Sequence, residues 1–151
     1  MVDVGPKAAT KRMARARAYV QVSAEILANL VEGEIQSPKG AVFQTAIIAG
    51  IMAAKKTGDL IPLCHSLGMD HCHIQIWVNA QQEIQIECTA SLVAKTGVEM
   101  EALTGAAVAA LTVYDMCKAF SHDIVIREVK LMEKRGGKLD FVRPAANDAH
   151  E

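Results

Sequence analysis

Residues 59–73 read DLIPLCHSLGMDHCH, and Cys64, His65, His71, Cys72 and His73 crowd two thiols and three imidazoles into ten of those positions. Such side chains ligate zinc or, as a thiol with its base, attack carbon. A zinc site needs four ligands converging at about 2 Å, commonly from paired spacings or a helical HxxxH. Strand parity argues against it. If residues 72–80 form a strand, Cys72 shares one face with Ile74, Ile76 and Val78, while His71 and His73 share the other with Gln75 and Trp77. The cluster is thereby split and no metal is expected. Cys88, in step with Ile84, Ile86 and Leu92, reads as a core thiol. A nucleophile built from Cys64 and an adjacent base is weak too, because neighbouring residues seldom point the same way. His65 remains as a candidate contact, against the plainer reading of a histidine satisfied within an apolar loop.

A second set of candidates lies on VEMEALTGAAVAALTVYDMCK, residues 98–118, an apolar stretch whose charges stand out. At about 100° per residue, Met100 and Lys118 coincide on the helical wheel, with Asp115 about 60° and Glu101 about 100° away. Burying charge among apolar residues costs several kcal/mol unless it is paired or serves chemistry. Asp115 and Lys118 at i,i+3 can pair, and the plain reading is a surface ion pair worth a few tenths of a kcal/mol. Glu101, 14 residues before Asp115, lies roughly 21 Å away along a helix. Two such helices packed antiparallel near Val108, with Gly105, Ala106 and Ala109 at the contact, would bring Glu101 of one copy toward Asp115 and Lys118 of another.

The elements that must position these groups follow from periodicity. Residues 16–23 alternate as a strand, and Ser23 is an expected N-cap for a helix over 24–33. AVFQTAIIAGIMAAKK, 41–56, is apolar on nearly every side and reads as a buried helix. HIQIWVNA and EIQIECTASLVA form a hairpin, residues 95–119 a long helix, and DIVIREVKLMEK a last strand. The order is that of a ferredoxin-like βαββαβ α+β fold: an antiparallel sheet with helices on one face and the other face open to partner subunits. A single domain over 1–151 is expected, with 1–15 a basic arm and 136–151 a flexible tail.

Composition narrows the class. Hydrophobic residues make up 51% but aromatics only 4%, so the apolar mass is small and aliphatic and a subunit interface is the natural outlet for the excess. A net charge of −1 provides no global field for nucleic acid or an anionic membrane. No run reaches the roughly 18 apolar residues of a membrane span, and no apolar leader opens the chain, so a cytoplasmic protein with reduced thiols is expected.

Three stretches together, KGAVFQTAIIAGIMAAKKTGDLIPLCHSL, KTGVEMEALTGAAVAALTVYDMCKA and the opening MVDVG, closely resemble the cyclic pyranopterin monophosphate synthase family of molybdenum-cofactor biosynthesis, from Val2 to about Lys138. The resemblance implies a ferredoxin-like fold and a homohexamer built as a trimer of dimers. It also implies a lyase that converts 3′,8-cyclo-7,8-dihydroguanosine 5′-triphosphate into cyclic pyranopterin monophosphate and releases pyrophosphate, in a site at the dimer interface. Asp115 and Lys118 of YDMCKA match the family's catalytic aspartate and lysine, and Lys39 of PKG its loop lysine. Leu63, Cys64 and His65 of PLCH, with Met100 and Glu101 of VEMEAL, match substrate-binding positions. Arg12, Lys55 and Lys134 match basic residues expected near the phosphates. No cofactor is implied; magnesium can accompany the pyrophosphate, but no carboxylate cluster demands it. Two positions depart from the pattern: Ser66 stands where proline usually follows the histidine, and Ala41 where an acid is common after KG, which removes an expected partner for Lys39. Against this enzyme stand a non-catalytic ligand-binding module on the same fold and a metal-binding protein using the Cys/His cluster.

Overall fold

A computed structural model describes residues 1–144. Along the chain it forms β1 (Thr10–Val22), α1 (Ala24–Leu27), β2 (Leu30–Val31), β3 (Glu34–Ser37), β4 (Gly40–Ala41), α2 (Val42–Lys55), α3 (Thr57–Leu60), β5 (His71–Val78), β6 (Ile84–Ala94), α4 (Glu99–Cys117), β7 (Ile124–Arg135) and β8 (Phe141–Val142). The main sheet is antiparallel in the order β5-β6-β1-β7-β8. Without the short edge strand β8 this is the split βαββαβ arrangement, with α2 and α4 as its two long helices. The ferredoxin-like α+β expectation holds.

Alternation along β1 and β6 builds the core. Ala14, Ala16, Ala18 and Val20 on β1, with Ile84, Ile86, Cys88 and Ala90 on β6, turn to the helices and are fully buried. The small side chains of β1 let α4 settle close to the sheet. The two helices approach still more closely: a Cβ on Gly50 of α2 would come within 2.7 Å of the Gly105 carbonyl, and one on Gly105 of α4 within 3.3 Å of the Gly50 carbonyl. Backbone therefore meets backbone, which explains a core built with so few aromatics; dense contact between small groups replaces bulk. The same observation corrects the expected helix contact. Ala106 and Ala109 are fully buried within the protomer, so Gly105, Ala106 and Ala109 pack against α2 and the sheet, and are not available to a second copy.

The opposite sheet face is polar. Arg17 is only 7% exposed and donates from Nε and Nη2 to Glu87 Oε2 at 3.0 and 2.6 Å. Arg127 forks onto both oxygens of Glu83 at 2.7 Å each and lies 4.2 Å from the centre of the Tyr19 ring. A subunit packing on this face would meet ion pairs, not a greasy sheet.

Three boundaries differ from the sequence reading. β1 begins at Thr10, because the basic segment pairs with β6 from Thr10↔Ala94 onward; Arg12 is thus a strand residue, and the arm is shorter than 1–15. The helix expected over 24–33 stops at Leu27, since Asn29 Nδ2 bonds back to the Glu25 carbonyl at 3.0 Å and Glu32 and Gly33, both at positive φ, turn the chain into the β2–β3 hairpin. Ser23 occupies the N-cap position but makes no side-chain cap bond. At the other end, Phe141–Val142 pairs with β7 as β8, so the expected tail starts as sheet; residues 145–151 lie outside the described residues. No helix among the described residues is long and apolar enough to cross a membrane.

Candidate active site

The last turn of α4 carries Asp115, and Lys118 follows it as the C-cap residue. The i,i+3 spacing brings Lys118 Nζ to 3.0 Å from Asp115 Oδ1. The other oxygen takes a longer-range partner: Lys39 Nζ donates to Oδ2 at 2.7 Å. Lys39 sits at the turn between β3 and β4, where its N–H donates to Ser37 Oγ at 3.1 Å and Gly40, at φ +115°, supplies a backbone state that a side chain would strain. The carboxylate is shared between two ammonium groups, Lys39 first and Lys118 second, and its pKa is held below the ordinary carboxylate range. All three side chains are about half exposed, so the triad is a preassembled, solvent-facing arrangement of charge and not a buried ion pair. Sequence reasoning named all three residues; the direct Lys39–Asp115 contact was absent from it.

The departure at Ala41 now has an account. Ala41 is the N-cap residue of α2 and offers no side-chain acceptor. Glu34 of β3 reaches across instead, accepting from Phe43 N–H at 2.8 Å and Gln44 N–H at 3.1 Å, which satisfies the first turn and sets negative charge at the positive end of the helix. The acid partner for Lys39 is Asp115.

The other end of α4 holds a different environment. Leu63, Cys64, His65 and Met100 line one cavity of about 480 Å³, together with Val2, Lys7 and Glu99. The N-terminal segment closes over it: His65 Nε2 lies 2.8 Å from the Val2 carbonyl, and Lys95 Nζ donates to the Gly5 carbonyl at 3.2 Å. Leu63 is 73% exposed, an apolar side chain left uncovered by the described residues. Arg12 and Lys134 approach the same rim through Glu99. Lys134 Nζ is 2.9 Å from Glu99 Oε1, and Arg12 donates to the Lys95 carbonyl at 3.4 Å with its guanidinium where a Cβ of Gly137 would otherwise sit. Burial pulls the Glu99 pKa up, but the bonded and nearby cations outweigh it and keep the group ionised. Glu99 is the residue that the sequence reading missed; its signal was the first of two acids in the opening turn of α4.

Glu101 lies behind this cavity, not in it. It is 1% exposed, lines a small pocket of about 40 Å³ with Lys55, Thr57, Asp59 and Ser66, and neither carboxylate oxygen has a hydrogen-bond partner among the described residues. Burial, aided by the charge of Glu99, raises its pKa. The idea that Glu101 faces a partner's Asp115 is thus corrected: Met100, 39% exposed, is the residue of that motif presented outward. Ser66, in place of proline, packs its Oγ where a Cβ of Gly58 would come within 2.6 Å, so the loop is held by contact with α3. Lys55, at the end of α2, belongs to this end of the molecule.

The Cys/His cluster divides as strand parity requires. His71 and His73 stack on the exposed side with ring centres 6.2 Å apart, while Cys72 turns toward the core and Cys88. Among the described residues no three His, Cys, Asp or Glu side chains converge as metal ligands would.

The profile of the MoaC family matches residues 1–137. The chain belongs to that family. It is 52% identical over 141 residues to the cyclic pyranopterin monophosphate synthase of Xanthomonas oryzae pv. oryzae, covering 93% of this chain and 86% of the relative. To the protein of the same name from Xanthomonas campestris pv. campestris it is 54% identical over 142 residues, with the same coverage. The triad and the cavity lie at opposite ends of α4.

Proposed function

We propose that the chain is a lyase of molybdenum-cofactor biosynthesis that converts 3′,8-cyclo-7,8-dihydroguanosine 5′-triphosphate into cyclic pyranopterin monophosphate with release of pyrophosphate; its relatives carry the name cyclic pyranopterin monophosphate synthase. The observation that carries the reading is the meeting of Lys39, Asp115 and Lys118 from a hairpin turn and a helix end that nothing in the packing of the core requires to touch. Purine rearrangement needs ring opening, reclosure and protonation at nitrogen, and a ribose hydroxyl must then attack the innermost phosphate and expel pyrophosphate. Each step calls for a positioned acid or base. Asp115 serves as base, Lys118 as its paired acid and Lys39 as the loop-borne partner. In the free protein the two ammonium groups hold Asp115 weakly basic. An anionic substrate that draws those ammonium groups to its phosphates returns basicity to Asp115, so the base is strengthened when substrate is bound.

The cavity at the start of α4 takes the remainder of the substrate, with Leu63, Cys64, His65 and Met100 on its wall and Arg12, Lys55 and Lys134 as the surrounding cations. One chain cannot bring both ends to one small molecule, since α4 runs from Glu99 to Cys117 between them and spans nearly 30 Å. We infer that a second copy completes the site, within a hexamer built as a trimer of dimers. The stripe between the ends supports this: Met100 and Leu111 are exposed on α4, as are Ile48 and Met52 on neighbouring α2, and a two-fold through such a stripe sets the cavity of one copy beside the triad of the other. A cytoplasmic location follows from a substrate derived from GTP. No cofactor is assigned. Pyrophosphate release from the cyclised intermediate tests the reading: wild-type protein turns it over, and full turnover by both Asp115→Asn and Lys118→Ala would remove the triad from the mechanism.

A further inference from the structure

The split of the Cys/His cluster leaves a pair of thiols that the proposed reaction does not use. Cys72 of β5 and Cys88 of β6 both project to the helix side of the sheet in diagonal register, Cys72 opposite Ala90 and Cys88 opposite Ile74. Their sulfurs are 3.9 Å apart. Helix α4 passes directly over Cys88, where a Cβ on Gly105 would come within 2.7 Å of Sγ, so this thiol is pinned against its neighbour. Cys88 is fully buried. Cys72 is partly exposed and lines a cavity of about 320 Å³ with Lys55, Met69, Asp70 and His71. One thiol is reachable and a second waits behind it.

We propose that Cys72 is a thiol-exchange site for low-molecular-mass disulfides that carry carboxylates, with Cys88 as the thiol that resolves the adduct. Lys55 supplies a cation at the cavity, while the Asp70 carboxylate on its rim is engaged by the Val93 N–H at 3.2 Å. Cys72 loses its proton and attacks one sulfur of the disulfide; a mixed disulfide forms and one thiolate leaves, to be protonated from solvent. The bond shared with Cys72 and burial push the Cys88 thiol up, so its loss of a proton and its attack on Cys72 Sγ, which expels the second thiolate, form the slow step. Two protein thiols are oxidised to one disulfide and the small disulfide is reduced to two thiols. The hydrogen bond shared with Cys88 lowers the Cys72 pKa more than burial raises it, whereas burial and the charge of Glu101 push Cys64 up, so exchange favours Cys72 over the cavity thiol of the active site.

Oxidised glutathione, incubated with the reduced full chain at neutral pH, tests this by intact mass and peptide mapping. Wild-type protein loses two hydrogens, its Cys72 and Cys88 peptides become linked, and dithiothreitol restores the starting mass. Cys88→Ala stops at one glutathione on Cys72. Cys72→Ser forms neither species at the pair. Limited alkylation of the wild-type chain by iodoacetamide needs no variant and labels Cys72 before Cys64. Labelling of Cys64 first, or the same lasting Cys72 adduct in wild type and Cys88→Ala, would overturn the proposal. Activity of the Asp115 triad enters none of these readouts, so they stand or fall separately from the assigned reaction.

Discussion

The two ends of α4 handle charge in opposite ways. At the C-terminal end Asp115 is half exposed and bonded to two lysines; at the N-terminal end Glu101 is buried with no partner for either oxygen among the described residues. The first pKa is pressed down by neighbouring cations and the second is pushed up by burial. Ion pairs in water contribute little to stability, while a buried unpaired carboxyl costs a good deal unless it keeps its proton. The triad therefore has little bearing on folding, and the carboxyl of Glu101 is a burden on folding that the surrounding cavity wall carries. Between them the helix is as tightly packed as backbone contact allows.

The largest effect that could break this contrast is at the triad. Asp115→Asn and Lys118→Ala are each expected to lower pyrophosphate release by about 10³-fold, within the range for a lost acid or base, while the thermal midpoint barely moves because both side chains face solvent. A large fall in stability would show that the pair is structural. At the cavity end, His65→Ala removes one polar contact and is expected to act mainly on KM, raising it about tenfold, the size of a single hydrogen bond to a charged group; a change confined to kcat would place His65 among the reacting groups. In the middle of the helix, Gly105→Ala forces a Cβ against Cys88 Sγ and the Gly50 carbonyl and is expected to destabilise by about 1–3 kcal/mol, read from denaturant unfolding. No loss there would mean that the helices are less closely seated than the geometry requires.

The smallest effect is a pH dependence at Glu101. Its folded-state pKa is raised, so the native state binds more protons than the unfolded chain just above the ordinary carboxylate range, and stability from this group falls as pH rises through that window. Glu101→Gln is expected to flatten the curve there and to match or exceed wild type near neutral pH, with the gap closing in acid. Asp115 runs the other way: with its pKa lowered, its ion pairs persist as pH falls through the ordinary carboxylate range and are lost only below it.

What was legible in the sequence follows from range. The β5–β6 hairpin, α2 and α4 were readable because periods of two and of 3.6 residues repeat over enough positions to stand clear of noise. The Cys/His cluster divided correctly for the same reason, since parity needs only the strand. The helix expected at 24–33 failed because Glu32 and Gly33 turn the chain at positive φ, a local choice that apolar spacing does not report. The early start of β1 was hidden because its basic residues alternate with small ones and look like a solvated arm. Contacts between distant residues had no local signal: Lys39 meets Asp115 across 76 positions and His65 meets Val2 across 63. Family resemblance named most of those residues, but not that Asp115 bonds both lysines, nor that Glu34 takes over the capping of α2 where Ala41 cannot.

Subunit mixing tests the central claim most directly, that the triad of one copy and the cavity of another form one site. Asp115→Asn and the double variant His65→Ala/Lys55→Ala are each assayed alone, below the raised KM, and then after dissociation and reassociation in equal amounts. Random pairing gives about half mixed dimers, each with one intact composite site of two, so activity should return to about a quarter of wild type. Activity no greater than the average of the separate variants, with mixed oligomers demonstrated by mass, would contradict the account and return the whole reaction to a single chain.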